Sequence, residues 1–146
     1  MRRVAIDSNV LVYAELEPKS DKGLLAHRII AEAAPGVVVP VQCLLEFVAV
    51  VRRKRVASLP SALEKVAAWS SIFEIVPTTK AVAESASALV RDHDFQVWDA
   101  VIFAAAEEAG ADILLSEDMR DGFALRGLRV VNPFALSEEA LSALLA

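Results

Sequence analysis

A single cysteine, Cys43, and only two histidines, His27 and His93, occur in this chain of 146 residues. One cysteine cannot form an intrachain disulfide or a multi-cysteine zinc site. The histidines have none of the pairings that a Ser-His-Asp triad or other histidine-centred chemistry requires. His27 falls mid-helix and reads as structural. His93 precedes Asp99 by six residues and also reads as structural, with an approach to substrate as the alternative. Long apolar runs are missing too. None comes near the ~20 residues of a membrane helix, and Asp7, Ser8, Asn9 and Glu15 break up the only stretch that resembles a signal peptide. A cytoplasmic protein with no membrane attachment is expected. Basic charge is scarce as well, because the net charge is −5. That weighs against binding a polyanion, unless several of the acids hold divalent cations that reverse the charge locally.

What the chain does have is apolar bulk, with a hydrophobic fraction of 55% and a mean hydropathy of +0.45. It can fill the core of one ordinary domain, taken here as residues 1–146. No repeat, low-complexity tract or linker divides it. Short β-branched runs occur at Arg3–Ile6, Val37–Val39, Phe73–Val76, Asp112–Leu115 and Arg129–Val131. Their nearly continuous hydrophobicity is that of strands buried on both faces of a parallel sheet. Helical patterns lie between them, at about Lys22–Ala33, Val41–Arg55, Lys80–Arg91 and Val97–Glu108. Another opens at the capping-box sequence Ser61-Ala62-Leu63-Glu64 after Pro60, and a last one starts near Ser137. Strands alternating with helices imply an α/β sandwich with a mostly parallel sheet.

Four acids depart from the polar company of the rest. Asp7 ends the run Val4-Ala5-Ile6. Glu46 sits within Cys43–Val51, Asp99 within Val97–Ala104, and Asp118 shortly after Ile113-Leu114-Leu115. Glu46, Asp99 and Asp118 have no Lys or Arg at helical pairing distance, and Arg3, four residues before Asp7, lies at the far end of a strand run, so none is paired along a helix; an uncompensated carboxylate on an apolar face is costly. In a βαβ unit each strand ends and each helix begins at the same sheet edge. All four acids therefore project toward the carboxyl edge, where open α/β sheets bind ligands. Like charges ~4 Å apart near a surface cost on the order of 4 kcal/mol per pair. A divalent cation relieves that cost, and an all-oxygen donor set selects Mg²⁺ or Mn²⁺ over zinc. Such ions serve phosphoryl chemistry. For Asp99 alone, stabilisation by its helix dipole is an equally good account. The set of four is much harder to explain structurally.

These residues resemble the PIN-domain nucleases, and within them the VapC-type toxins of type II toxin–antitoxin pairs. The likeness spans nearly the whole chain. It rests on Val4-Ala5-Ile6-Asp7-Ser8-Asn9-Val10-Leu11, on Glu46, on Trp98-Asp99-Ala100-Val101-Ile102, and on Leu114-Leu115-Ser116-Glu117-Asp118, where a serine precedes the fourth acid by two. The resemblance implies a three-layer sandwich, with helices on both faces of a five-stranded sheet in the order 3-2-1-4-5. It implies a Mg²⁺- or Mn²⁺-dependent endoribonuclease, usually dimeric, neutralised by a small antitoxin that occludes the acidic site. Asp7 and Asp99 would be the principal ligands, with Glu46 and Asp118 completing the site directly or through water. Asn9 and Ser116 would orient carboxylates or contact substrate. The chain departs from the family pattern after the fourth acid, where Asp118-Met119-Arg120-Asp121-Gly122-Phe123 displaces a further acid to Asp121.

The basic run Arg52-Arg53-Lys54-Arg55 reads as helix C-terminal charge, with RNA-backbone contact as the alternative. Cys43 reads as buried, and Trp98 as packing that walls the site, with base stacking as the alternative. Asp92, Asp94, Glu107, Glu108 and Glu117 read as surface acids. Two other functions stay open: a PIN-type nuclease of RNA processing or DNA cleavage outside any toxin pair, and a non-enzymatic phospho-receiver. The latter needs a phosphorylatable Asp at its middle strand and a Lys at its last. Val76-Pro77 and Asn132-Pro133 stand there instead. Asp7-Ser8-Asn9 also lacks the Asp-x-Asp of a dehalogenase-type phosphatase.

Overall fold

The continuous β-branched runs do become strands with both faces covered. In a computed structural model, which describes residues 2–33 and 35–146, β1 (Val4–Ile6), β2 (Val38–Pro40) and β4 (Ile113–Leu115) are buried along their whole length. With β3 (Glu74–Val76), β5 (Ala124–Leu125) and β6 (Leu128–Val131) they form one sheet in the order β3-β2-β1-β4-β6-β5. Every pairing is parallel except that of β5 with β6. The parallel strands thus follow the expected order. The sixth strand is a two-residue arm that turns back through Arg126 and Gly127, both at positive φ (51° and 87°). Two left-handed residues in succession make the tight turn that suits a twisted hairpin. An arm this short carries no alternation that a sequence pattern could show.

Among the described residues seven α-helices flank the sheet: α1 (Ser8–Leu16), α2 (Asp21–Ala33), α3 (Val41–Lys54), α4 (Leu59–Ile72), α5 (Lys80–His93), α6 (Val97–Glu108) and α7 (Glu138–Leu145). The first was not expected. It buries Val10, Leu11, Ala14 and Leu16, and with Val12 and Tyr13 also packed on the core it is apolar nearly all round. No amphipathic stripe was available to reveal it. The start expected for α4 is also corrected. The helix begins at Leu59 with Pro60 in its first turn, where proline's fixed φ suits a helix start. The Ser61–Glu64 pair therefore lies inside the helix and does not cap it.

Aromatic contacts lock the layers. Phe47 on α3 meets Trp69 on α4 edge-to-face at 5.0 Å. Phe103 on α6 meets Phe95 and Phe123 at 5.6 and 5.4 Å. Among the described residues no helix is long and apolar enough to cross a membrane. What matters for the site is the register at the centre of the sheet. Ile6 is level with Leu115, and Leu115 with Val131. One residue further on, Asp7 N–H donates to the Leu115 carbonyl and Ser116 N–H to the Val131 carbonyl, both at 3.0 Å. The two central strands thus deliver Asp7 and Ser116 side by side.

Candidate active site

Asp7 is the first residue past β1 and the N-cap of α1, with one carboxylate oxygen accepting from Ser8 N–H at 2.6 Å. Its other oxygen accepts from Ser116 Oγ at 2.7 Å and from Asn9 Nδ2 at 3.3 Å. Cys43 Sγ lies 3.8 Å away. The residue is 2% exposed. Burial pushes its carboxyl up to about 6, partly opposed by the bonds from Ser116 and Ser8, with the charges of Glu46 and Asp99 adding to the rise. The same burial, with Asp7 and Glu46 nearby, pushes the Cys43 thiol up and keeps it protonated.

The other three acids come from three different elements. Glu46, on α3, accepts from Ser8 Oγ at 3.1 Å and from Gln42 Nε2 at 3.4 Å. Asp99 sits in the first turn of α6, where Gln96 caps the helix by accepting from the N–H groups of Trp98 and Asp99. Partial burial, then the charges of Glu46 and Asp118, raise the Asp99 carboxyl above its usual range. Asp118 lies in the loop after β4 and accepts from Asn9 Nδ2 at 3.3 Å. The topology thus brings all four acids to one sheet edge, with Ser8 between Asp7 and Glu46 and Asn9 between Asp7 and Asp118. Ser116 has two tasks. Its hydroxyl donates to Asp7 and accepts from the N–H groups of Asp118 and Met119, both at 3.2 Å. It shapes the loop that carries the fourth acid.

No ion pair among the described residues involves any of the four. Nor do three or more acidic, histidine or cysteine side chains among the described residues close on one point as the ligands of a single ion would. Hydroxyl and amide donors stand between the carboxylates, so four acids converging as one complete cage is not the arrangement seen.

Some residues at the edge carried too little signal in the sequence. Ser8 was missed, although it bridges two of the acids. Glu117, expected to be a surface acid, accepts from Tyr13 Oη at 2.5 Å and Lys22 Nζ at 2.6 Å, which pulls its carboxyl down and ties the Asp118 loop to α1 and α2. Asn9 Oδ1 accepts the Glu117 N–H at 3.4 Å. Asp121 accepts from Asn132 N–H at 2.9 Å and closes a loop. Trp98, expected to pack, is 52% exposed, since its place at the start of α6 turns it to solvent. Two clefts adjoin the acids. One is bounded by Phe95, Gln96, Asp99, Asp118 and Arg120. The other runs from Ser8, Asn9 and Asp118 to the end of α3.

A mostly parallel sheet with four carboxylates at its carboxyl edge, none paired to a cation among the described residues, defines an α/β domain with an acidic, oxygen-donor site. The chain belongs to the PIN-domain family, whose sequence profile matches residues 4–124. No curated protein is similar enough in sequence to count as a relative. Solved structures show the same fold at low identity. A toxin–antitoxin complex from Klebsiella pneumoniae superposes with a TM-score of 0.69 at 19% identity, covering 91% of this chain and 99% of that one. VapC20 of Mycobacterium tuberculosis, described as a sarcin-ricin loop cleaving toxin, gives 0.66 at 19% identity, covering 79% and 89%. FitAcB from Neisseria gonorrhoeae gives 0.65 at 17% identity, covering 91% and 99%.

Proposed function

We propose that this chain is a Mg²⁺- or Mn²⁺-dependent endoribonuclease and the toxin of a toxin–antitoxin pair, acting in the cytoplasm. The observation that carries the proposal is Asp7. A buried carboxylate held by hydrogen bonds from Ser8, Asn9, Cys43 and Ser116, with no cation partner among the described residues and with three more acids around it, is a poor structural investment and a good place for a divalent ion. Oxygen donors suit a hard cation. Magnesium commonly keeps several waters and takes one or two carboxylates directly, which fits acids that do not close into a full cage. Asp7 and Asp99 would be the main ligands, and Glu46 and Asp118 would act directly or through water. Bound there, the ion would supply the positive charge that activates a water and neutralises the scissile phosphate.

The chain's own residues do the positioning. Ser116 and Asn9 fix the orientation of Asp7, Ser8 holds Glu46 toward it, and Gln96 sets the start of the helix that presents Asp99. Purified protein should cut RNA with Mg²⁺ or Mn²⁺ and stop with EDTA, and Asp7→Asn should abolish cutting while the far-UV circular dichroism stays unchanged. Cutting that persists in EDTA would overturn the proposal.

The toxin role is supported by the fold shared with a structure described as a toxin–antitoxin complex and with one described as an RNA-loop cleaving toxin. A small antitoxin covering the acidic edge, and a homodimer, complete the reading. Leu45, Val56 and Leu63, exposed on α3, the turn after it and α4, offer apolar surface for such contacts. Expression should arrest growth, and co-expression of the neighbouring gene's product should relieve it.

A further inference from the structure

The four cations that end α3 are not equivalent. Each residue of an α-helix turns the chain by about 100° and advances it about 1.5 Å. Arg53, seven residues after Glu46, therefore returns to within roughly 20° of the Glu46 face, about 10 Å further along. Lys54 flanks that face, while Arg52 is turned about 120° away. The side chains follow this geometry. Arg53 and Lys54, with Val50, form the α3 wall of the cleft that begins at Ser8, Asn9 and Asp118. Arg52 does not line it. Arg55 is engaged elsewhere, donating to the Leu16 carbonyl at the end of α1 at 2.9 Å. Arg53 and Lys54 are exposed, and no ion pair among the described residues holds either.

We propose that this cleft is the channel for one RNA strand, whose phosphates lie beside Arg53 and Lys54 as the strand leaves the carboxylate site. The assignment rests on the ribonuclease reading above. A single strand fits because the cations of the cleft, Arg53 and Lys54, both stand on its α3 wall, opposite α1 and the loop of Glu117 and Asp118, so they meet one phosphate backbone. Of the acids on the cleft, Glu117 is paired to Lys22, Glu17 lies exposed at the end of α1, and Asp118 belongs to the site itself. An acidic polypeptide is the competing occupant. A nucleic-acid strand is favoured because one end of the cleft is formed by Asp118 with Ser8 and Asn9, the residues that bond Asp7 and Glu46, so a strand cut at the carboxylates has this cleft as an exit.

Two measurements separate failure of the channel from failure of the ribonuclease reading. The first is fluorescence anisotropy of a labelled single-stranded RNA, and of labelled polyglutamate, against salt. Each lost phosphate contact lowers the salt slope of single-strand binding by about 0.7. Arg53→Ala/Lys54→Ala should therefore lose about 1.4 in slope, Arg53→Lys/Lys54→Arg should restore it, and Arg52→Ala should match wild type. The second is cleavage kinetics, in which the double alanine variant should raise KM about tenfold with kcat within about twofold, the pattern of lost uniform binding. An unchanged slope in the double variant, an equal loss in Arg52→Ala, or tighter binding of polyglutamate than RNA would overturn the channel. Wild-type protein that binds RNA through these residues yet cuts none with any divalent ion would overturn the ribonuclease reading and leave the channel standing.

Discussion

A single oxygen atom of Asp7 takes hydrogen bonds from both Ser116 and Asn9, yet burial still outweighs them and leaves the carboxyl raised to about 6. The consequence for stability has a definite sign. Between the ordinary value of 3.8 and about 6, the folded chain binds more of a proton at Asp7 than the unfolded chain does. The stabilising contribution is thus full below the unfolded value and is lost as pH rises through the folded one. The loss is on the order of 3 kcal/mol, from 1.36 kcal/mol per pKa unit. In EDTA, urea denaturation of wild type should show stability falling more steeply from pH 4 to pH 7 than that of Asp7→Asn. Parallel pH profiles would show that the Asp7 carboxyl is not raised. At this scale the sequence was informative about Asp7, Glu46 and Asp99, because an acid amid apolar neighbours with no cation in pairing range stands out on inspection. It was silent about Ser8, Tyr13, Lys22 and Glu117, because common polar residues acquire meaning only from partners distant in the chain.

Among the elements, α1 shows most clearly what patterning cannot reveal. Its N-cap is Asp7, so the residue that organises the site also starts the helix, but its all-round burial erases the 3.6-residue stripe by which α3 and α5 are recognised. The same helix depends on a close approach that periodicity does not signal. Gly23, in the first turn of α2, lies so near the end of α1 that an added Cβ would fall on the Glu17 carbonyl oxygen. Backbone cannot step aside as a flexible side chain can. Gly23→Ala should therefore cost about 1–3 kcal/mol, read as a lower urea midpoint at unchanged slope. An unchanged midpoint would mean that α1 and α2 can part there freely. The start of α4 and the β5 arm were misread or missed for related reasons. Pro60 is equally at home just before a helix and in its first turn, and a two-residue strand has no period.

For the whole molecule, parallel topology was legible because continuous β-branched strands alternating with helices leave few arrangements once crossovers must be right-handed. That order alone explains why residues as distant as Asp7, Glu46, Asp99 and Asp118 share one edge. The net charge of −5, at first a warning against an RNA partner, is partly the site's own carboxylates. The finer arrangement of those acids was not legible, because hydroxyl and amide donors from α1 and from the loop after β4 separate them. A ligand that binds only the folded state stabilises it, by about 2.7 kcal/mol at a concentration one hundred times its Kd. Mn²⁺ should therefore raise the melting temperature of wild type and leave that of Asp7→Asn unmoved. An equal rise in both would place the ion elsewhere.

If these carboxylates carry the chemistry, RNA cleavage by Asp99→Asn in saturating Mn²⁺ reads it out directly. Asp99 is only half-buried, and among the described residues its carboxylate accepts no hydrogen bond, so the variant should fold and melt like wild type. Its rate should be at least about a hundredfold lower, the usual cost of removing one electrostatic contributor from an active site. Cleavage at the wild-type rate would contradict that role for the carboxylates.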